Sequence, residues 1–153
     1  MAGPIRQRHA ADTEMPSVED SSSARRPPAR VLAVDDDPSF LALLCDVVEA
    51  ASELELVGES DCGEGAVHSA ADLRPDMVVM DVRMPTLDGI SASTRIMASL
   101  PSALVVLVSA THPDELRQEA SGCGASAILW KGDLRPRLLD ELWLHHREAL
   151  SRA

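Results

Sequence analysis

Residues 78–89 read VVMDVRMPTLDG, an apolar run that stops at a carboxylate and is followed shortly by a proline and a glycine. With Met77 the run becomes MVVM, continuous rather than alternating, which suits a strand covered on both faces. Asp81 then stands at the edge of a core, where a charge must be hydrated, paired or used. Pro85 and Gly89 turn the chain sharply away from the strand and start the next helix.

Outward from this strand the pattern repeats. The runs VLAV (31–34), LELV (54–57), ALVVLV (103–108) and AILW (127–130) are separated by longer segments with helix signals, giving five strands and five helical segments. Asp37 at the cap position and Pro38 at the first helical position open the first segment. In the last, running from Asp133, Leu134, Leu138 and Leu142 recur on one face. Strand–helix alternation predicts an α/β fold: a five-stranded parallel sheet with helices on both faces. LELVGES partly alternates and reads as an edge strand, which fits the doubly wound order 2-1-3-4-5.

In that order ligands bind beyond the carboxyl ends of the strands, where the order reverses between strands 1 and 3. Strand 1 ends in Asp35 and Asp36, strand 3 in Asp81, strand 4 in Ser109 and strand 5 in Lys131. Neighbouring strands lie ~4.8 Å apart, so the carboxylates converge. Together they repel and raise one another's pKa unless a cation neutralises them. A hard divalent ion with oxygen ligands answers this, and Mg²⁺ fits best because it is commonly held by one or two carboxylates, waters and a phosphoryl group. Lys131 is the only lysine beside thirteen arginines. A compact ammonium on a flexible stem can reach across two strands to a carboxylate or phosphoryl oxygen.

Composition limits the alternatives. The 153 residues fit one domain of ordinary size, and no apolar stretch is long enough to cross a bilayer. The N-terminus lacks the apolar core of a secretory signal peptide, so export is not expected, and Cys45, Cys62 and Cys123, without CxxC spacing, read as reduced thiols of a cytoplasmic protein. Residues 1–30 hold five arginines against four acidic residues, whereas the rest holds nine basic against 21 acidic residues within a total charge of −11. So acidic a domain repels a phosphate backbone, which argues against direct nucleic-acid binding. Residues 1–29, rich in Pro, Ser and mixed charge, are expected to be a disordered leader, with the folded domain over 30–153.

VLAVDDDPS, VVMDVRMPTLDG, VLVSA and AILWKG, taken in order, resemble the successive motifs of the receiver domain of bacterial response regulators, a flavodoxin-like fold. The resemblance covers roughly residues 30–150. It implies that Asp81 is the phosphoacceptor, that Asp36 and Asp81 ligate Mg²⁺ directly, and that Asp35 acts through water. It further implies that the Arg83 backbone carbonyl is another ligand, Ser109 the switch hydroxyl and Lys131 the cation pairing with the acceptor. The donor would be a phosphohistidine on a histidine kinase or histidine phosphotransferase. Ser109 would then move inward and remodel the face of helix 4, strand 5 and helix 5, signalling to a downstream protein target; a phosphorylation-dependent homodimer through that face is one such output. A chain ending at Ala153 reads as a stand-alone receiver, or else a fragment of a longer regulator. The domain itself is expected to be an acceptor and not a turnover enzyme.

Two positions depart from the family pattern. Ile128 stands where many receivers have Tyr or Phe, and the sequence offers little more than Trp130, on the same strand face, in its place. Gly132 stands where a cis proline is common, and a cis bond before glycine costs ~3 kcal/mol. Two other functions compete: an Mg²⁺-dependent phosphohydrolase with an aspartate nucleophile, suggested by Asp35-x-Asp37, and a receiver-shaped interaction module that no longer accepts phosphate. The hydrolase plan puts its nucleophile on strand 1, against the order here. Asp37 and Asp88 read as cap and turn residues, Met84 and Ala110 as pocket flanks, and Trp143 as core or partner anchor. His145 and His146 are adjacent, about 100° apart on a helix, and lack the spacing of paired ligands.

Overall fold

Five parallel strands in the order β2-β1-β3-β4-β5 form the sheet of the computed structural model, which describes residues 25–153. The expected leader lies, up to residue 24, outside the described residues. The strands are β1 (Ala29–Val34), β2 (Leu54–Ser60), β3 (Met77–Asp81), β4 (Leu104–Ser109) and β5 (Ala127–Trp130). The helices are α1 (Pro38–Ala50), α2 (Gly63–Leu73), α3 (Gly89–Ser99) and α4 (Pro136–Arg152). The order, the parallel pairing and the helices on both faces are those that the strand–helix alternation predicts.

Alternation along each strand divides the core between the two faces. Leu32, Val34, Val78, Met80, Val105 and Leu107 pack with Ala66 and Ala70 of α2 and Ala92 and Ile96 of α3. Val31, Ala33, Met77, Val79, Leu104, Val106 and Val108 pack with Leu41 and Leu44 of α1 and Leu139 and Trp143 of α4. All of β3 and β4 is buried, as continuous apolar runs require, whereas β2 at the edge is mostly half-exposed. Cys45 is core filler, and burial pushes its thiol up to about 11.

Helix starts follow the local chemistry. Asp37 caps α1, its carboxylate accepting from the Ser39 amide at 3.0 Å ahead of Pro38. Asp88 caps α3 through the Ser91 amide at 2.8 Å. The turn between β3 and α3 is closed by Gly89, whose amide donates to the Val82 carbonyl at 2.8 Å. A Cβ at Gly89 would lie 2.1 Å from the Asp81 carbonyl oxygen, so only glycine lets α3 start this close to the strand end.

Two expectations fail. The segment between β4 and β5 contains no α-helix; it is a 3₁₀ turn at Pro113–Glu115 followed by successive turns. Leu116, Ala120 and Cys123 are buried at helical spacing, but only the Ala120 amide reaches back a full α-turn, to the Leu116 carbonyl at 2.9 Å. One leucine, one alanine and one cysteine bury too little to offset helix nucleation. Gly122 and Gly124, at φ +83° and +94°, then break the run. The last helix, in turn, starts at Pro136 rather than Asp133, because residues 131–133 form a 3₁₀ turn. Its buried residues are Leu139 and Trp143, one position beyond the Leu138 and Leu142 stripe, so Trp143 belongs to the core.

Candidate functional site

The carboxyl ends of β1, β3, β4 and β5 bring the predicted residues to one mouth of the sheet. Val34 pairs with Met80, which sets Asp35 and Asp81 side by side as the next residues of adjacent strands. Asp81 pairs with Val108 and Ser109 with Trp130, so Ser109 and Lys131 complete the neighbouring strand ends. Asp35 is fully buried, Asp81 is 5% exposed and Ser109 is buried, while Asp36 faces solvent.

Lys131 holds the buried pair together. Its Nζ lies 2.9 Å from Asp35 Oδ2 and 3.1 Å from Asp81 Oδ1. Burial works against this ammonium, but its contacts with Asp35 and Asp81 outweigh that and hold its pKa above the ordinary lysine value. The Phe40 ring, from the first turn of α1, sits 4.1 Å from Nζ and adds a cation–π contact. For Asp81 the balance goes the other way. Burial first, and then the charge of Asp35, raise its carboxyl to about 6 despite the opposing pull of Lys131. Asp81 therefore keeps its proton to a higher pH than an ordinary aspartate, and above about pH 6 it is a carboxylate held at a cost until a further cation joins the group.

Oxygen ligand atoms of Asp35, Asp36 and Asp81 lie within 4.8 Å of one another. Three carboxylates against one ammonium leave a formal charge of −2. Asp35 Oδ1 accepts from the Asp37 amide at 2.9 Å, and Oδ2 faces the Lys131 ammonium at 2.9 Å. An acidic, all-oxygen donor set with more negative charge than Lys131 can offset suits a hard divalent cation.

The remaining candidates fall around this centre. The Arg83 side chain turns outward to a bidentate pair with Glu119, both nitrogens at 3.0 Å. Asp37 is engaged at its cap and stands outside the cluster, which removes the Asp-x-Asp arrangement a strand 1 nucleophile would need. Met84 is buried and Ala110 exposed beside the mouth. His146 is held by the Ser102 carbonyl at 2.9 Å and by the Trp143 ring, far along the chain from any acidic partner in the cluster. Sequence reasoning overlooked Phe40. Its signal was position: the third residue of a helix that begins just after Asp36.

The response regulator receiver domain family matches residues 31–142. A protein-glutamate methylesterase/protein-glutamine glutaminase of Pseudoalteromonas translucida is 48% identical over 83 residues, 54% of this chain and 21% of that protein. The chain spans 21–32% of the length of the curated relatives it matches. The response regulator domain of Thermotoga maritima CheB superposes with a TM-score of 0.69 at 29% identity, covering 78% of this chain and 97% of that one. CheY of Borrelia burgdorferi, solved with CheX, BeF₃ and Mg²⁺, superposes with a TM-score of 0.68 at 25% identity, covering 78% and 89%. No described helix is long and apolar enough to cross a membrane. In sequence match and topology alike, this chain belongs to the receiver domains of the response regulators of two-component signalling.

Proposed function

We propose that this receiver accepts a phosphoryl group on Asp81 from a phosphohistidine of a histidine kinase or histidine phosphotransferase, and signals through protein contact. The observation that carries the reading is the buried Asp81 carboxylate at the end of a central strand, 3.1 Å from Lys131 and clustered with Asp35 and Asp36. An Asp81 oxygen attacks phosphorus in line; the phosphorus–nitrogen bond breaks and the imidazole leaves with its electron pair. A mixed anhydride remains on Asp81. Phosphoryl transfer depends mainly on positioning and charge neutralisation. Lys131 neutralises phosphoryl oxygens, and the Ser109 hydroxyl donates to one of them. Asp36, Asp81 and the Arg83 carbonyl would hold Mg²⁺, with Asp35 assisting, and the ion would supply the remaining positive charge. The domain keeps the group and does not turn over a substrate.

The names of the relatives support a methylesterase as the activity under control, carried on the same polypeptide or on another. The acceptor reading is tested by incubating the protein with a small acyl phosphate and Mg²⁺ and measuring intact mass. A single phosphoryl adduct is expected, absent in Asp81→Asn and after chelation. An adduct that persists in Asp81→Asn overturns the assignment.

A further inference from the structure

Trp130 touches both loops that flank the site. It pairs with Ser109 in the sheet register and is 44% exposed. Its indole N–H donates to the Ala110 carbonyl at 3.2 Å. The same ring lies 6.4 Å from the His112 ring, tilted by 43°. The indole also lies against Gly132. A Cβ there would stand 3.3–3.6 Å from three atoms of its six-membered ring, tighter than ordinary contact at the nearest. The glycine after Lys131 therefore makes room for the indole.

The loop held in this way is the one Ser109 must move. Ser109 Oγ accepts from the Thr111 amide at 2.9 Å, which turns the hydroxyl into its own loop. Thr111 lies between Ala110 and His112, so a single side chain grips the loop on both sides of the amide that occupies Ser109. Ile128, half-buried two residues earlier, has no polar atom with which to do this.

We infer that Trp130 is a positioning residue which latches the Ala110–His112 loop in the unphosphorylated arrangement and is released when Ser109 turns to a phosphoryl group on Asp81. The inference rests on the acceptor reading above. Release would free an exposed indole at the end of β5, so the group that senses the loop is also a group a partner meets. By linkage, a contact made only in the latched state opposes phosphorylation, and its loss favours it.

The full chain labelled with 5-fluorotryptophan gives two ¹⁹F resonances, one for each tryptophan; Trp130 is assigned by its loss in Trp130→Phe. On addition of acyl phosphate and Mg²⁺, the Trp130 resonance is expected to shift in proportion to the adduct seen by mass, while that of Trp143 stays in place. Trp130→Phe keeps the ring and loses the N–H. It is expected to phosphorylate about two- to tenfold faster than the parent, the range for one net hydrogen bond, with a thermal midpoint lowered by no more than the loss of that one bond accounts for. A lower midpoint at parental rate marks a merely structural role and overturns the latch. Adduct formation with an unmoved Trp130 resonance also overturns it, leaving Asp81 as acceptor. Absence of any adduct overturns both.

Discussion

The two halves of the site mouth are built differently. On the β1–β3 side, α1 and α3 have capped starts, and Gly89 packs the start of α3 against the backbone of Asp81. On the β4–β5 side the connection is a chain of turns with two glycines at positive φ and no α-helix. The first half holds carboxylates in place for chemistry. The second carries the hydroxyl that must move, and its sparse buried surface leaves it cheaper to rearrange. Lys131 spans the two halves.

Removing that bridge has the largest expected effect. In Lys131→Ala the buried Asp35 and Asp81 lose the cation that pairs with them, and metal-free protein should lose about 3–5 kcal/mol of unfolding free energy. Urea titrations in chelator measure this, and added Mg²⁺ should recover part of it. A loss below about 1 kcal/mol would mean that the carboxylates tolerate each other without help.

Asp81→Asn tests the rigid half from the opposite direction. The Asp81 carboxyl is raised to about 6 from an ordinary 3.8, so the folded protein binds its proton more tightly than the unfolded chain. Stability contributed by this group is full at low pH and falls as pH rises from about 4 to 6; above that the cost is about 3 kcal/mol. Metal-free Asp81→Asn should therefore exceed the parent in stability at pH 7.5 by up to that amount, and the two should converge below pH 4. With Mg²⁺ present the gap should narrow, because the ion favours the parent. Curves that stay parallel from pH 4 to 8 would show that burial and Asp35 do not act on Asp81 as the geometry requires.

What was legible in the sequence divides along the same line. Asp35, Asp36, Asp81, Ser109 and Lys131 could be placed because each follows a continuous apolar run, and the strand ends of a doubly wound sheet share one mouth. Asp37 and Pro38 fixed the start of α1 because capping is local. Residues 110–126 were not legible. DELRQEA has good helix formers and Leu116, Ala120 and Cys123 at helical spacing, and whether these bury enough to hold a helix is a tertiary question. The phase of α4 was missed for a related reason: Leu138 and Leu139 are both apolar, and the choice between them depends on how α4 meets α1 on their shared face of the sheet. Nor could the grip of Trp130 on Ala110 be seen, because strand pairing sets it and no motif marks it.

Two glycines sharpen the contrast. Gly89→Ala drives a methyl group into the backbone at Asp81 and should cost about 1–3 kcal/mol, with slower phosphorylation because the acceptor's own carbonyl must shift. Gly122→Ala meets nothing within 4 Å and bears only the strain of φ +83°, about 1 kcal/mol, with phosphorylation unchanged. Equal losses of phosphorylation in the two variants would contradict a division between a rigid and a yielding half.

The smallest effect is expected where the halves touch at the surface. Arg83, just after β3, forms its bidentate pair with Glu119 in the β4–β5 connection, with both side chains about half exposed. Exposed pairs contribute about 0.5 kcal/mol or less once ordering and screening are counted. A double-mutant cycle of Arg83→Ala and Glu119→Ala should give a coupling of that size at low salt and none at 1 M, where charges are screened within ~3 Å. A yielding connection needs a tether this weak. Coupling above about 1 kcal/mol that survives high salt would mean the connection is pinned to β3 before any phosphoryl group arrives, and Ser109 would then move against that restraint rather than within a loose segment.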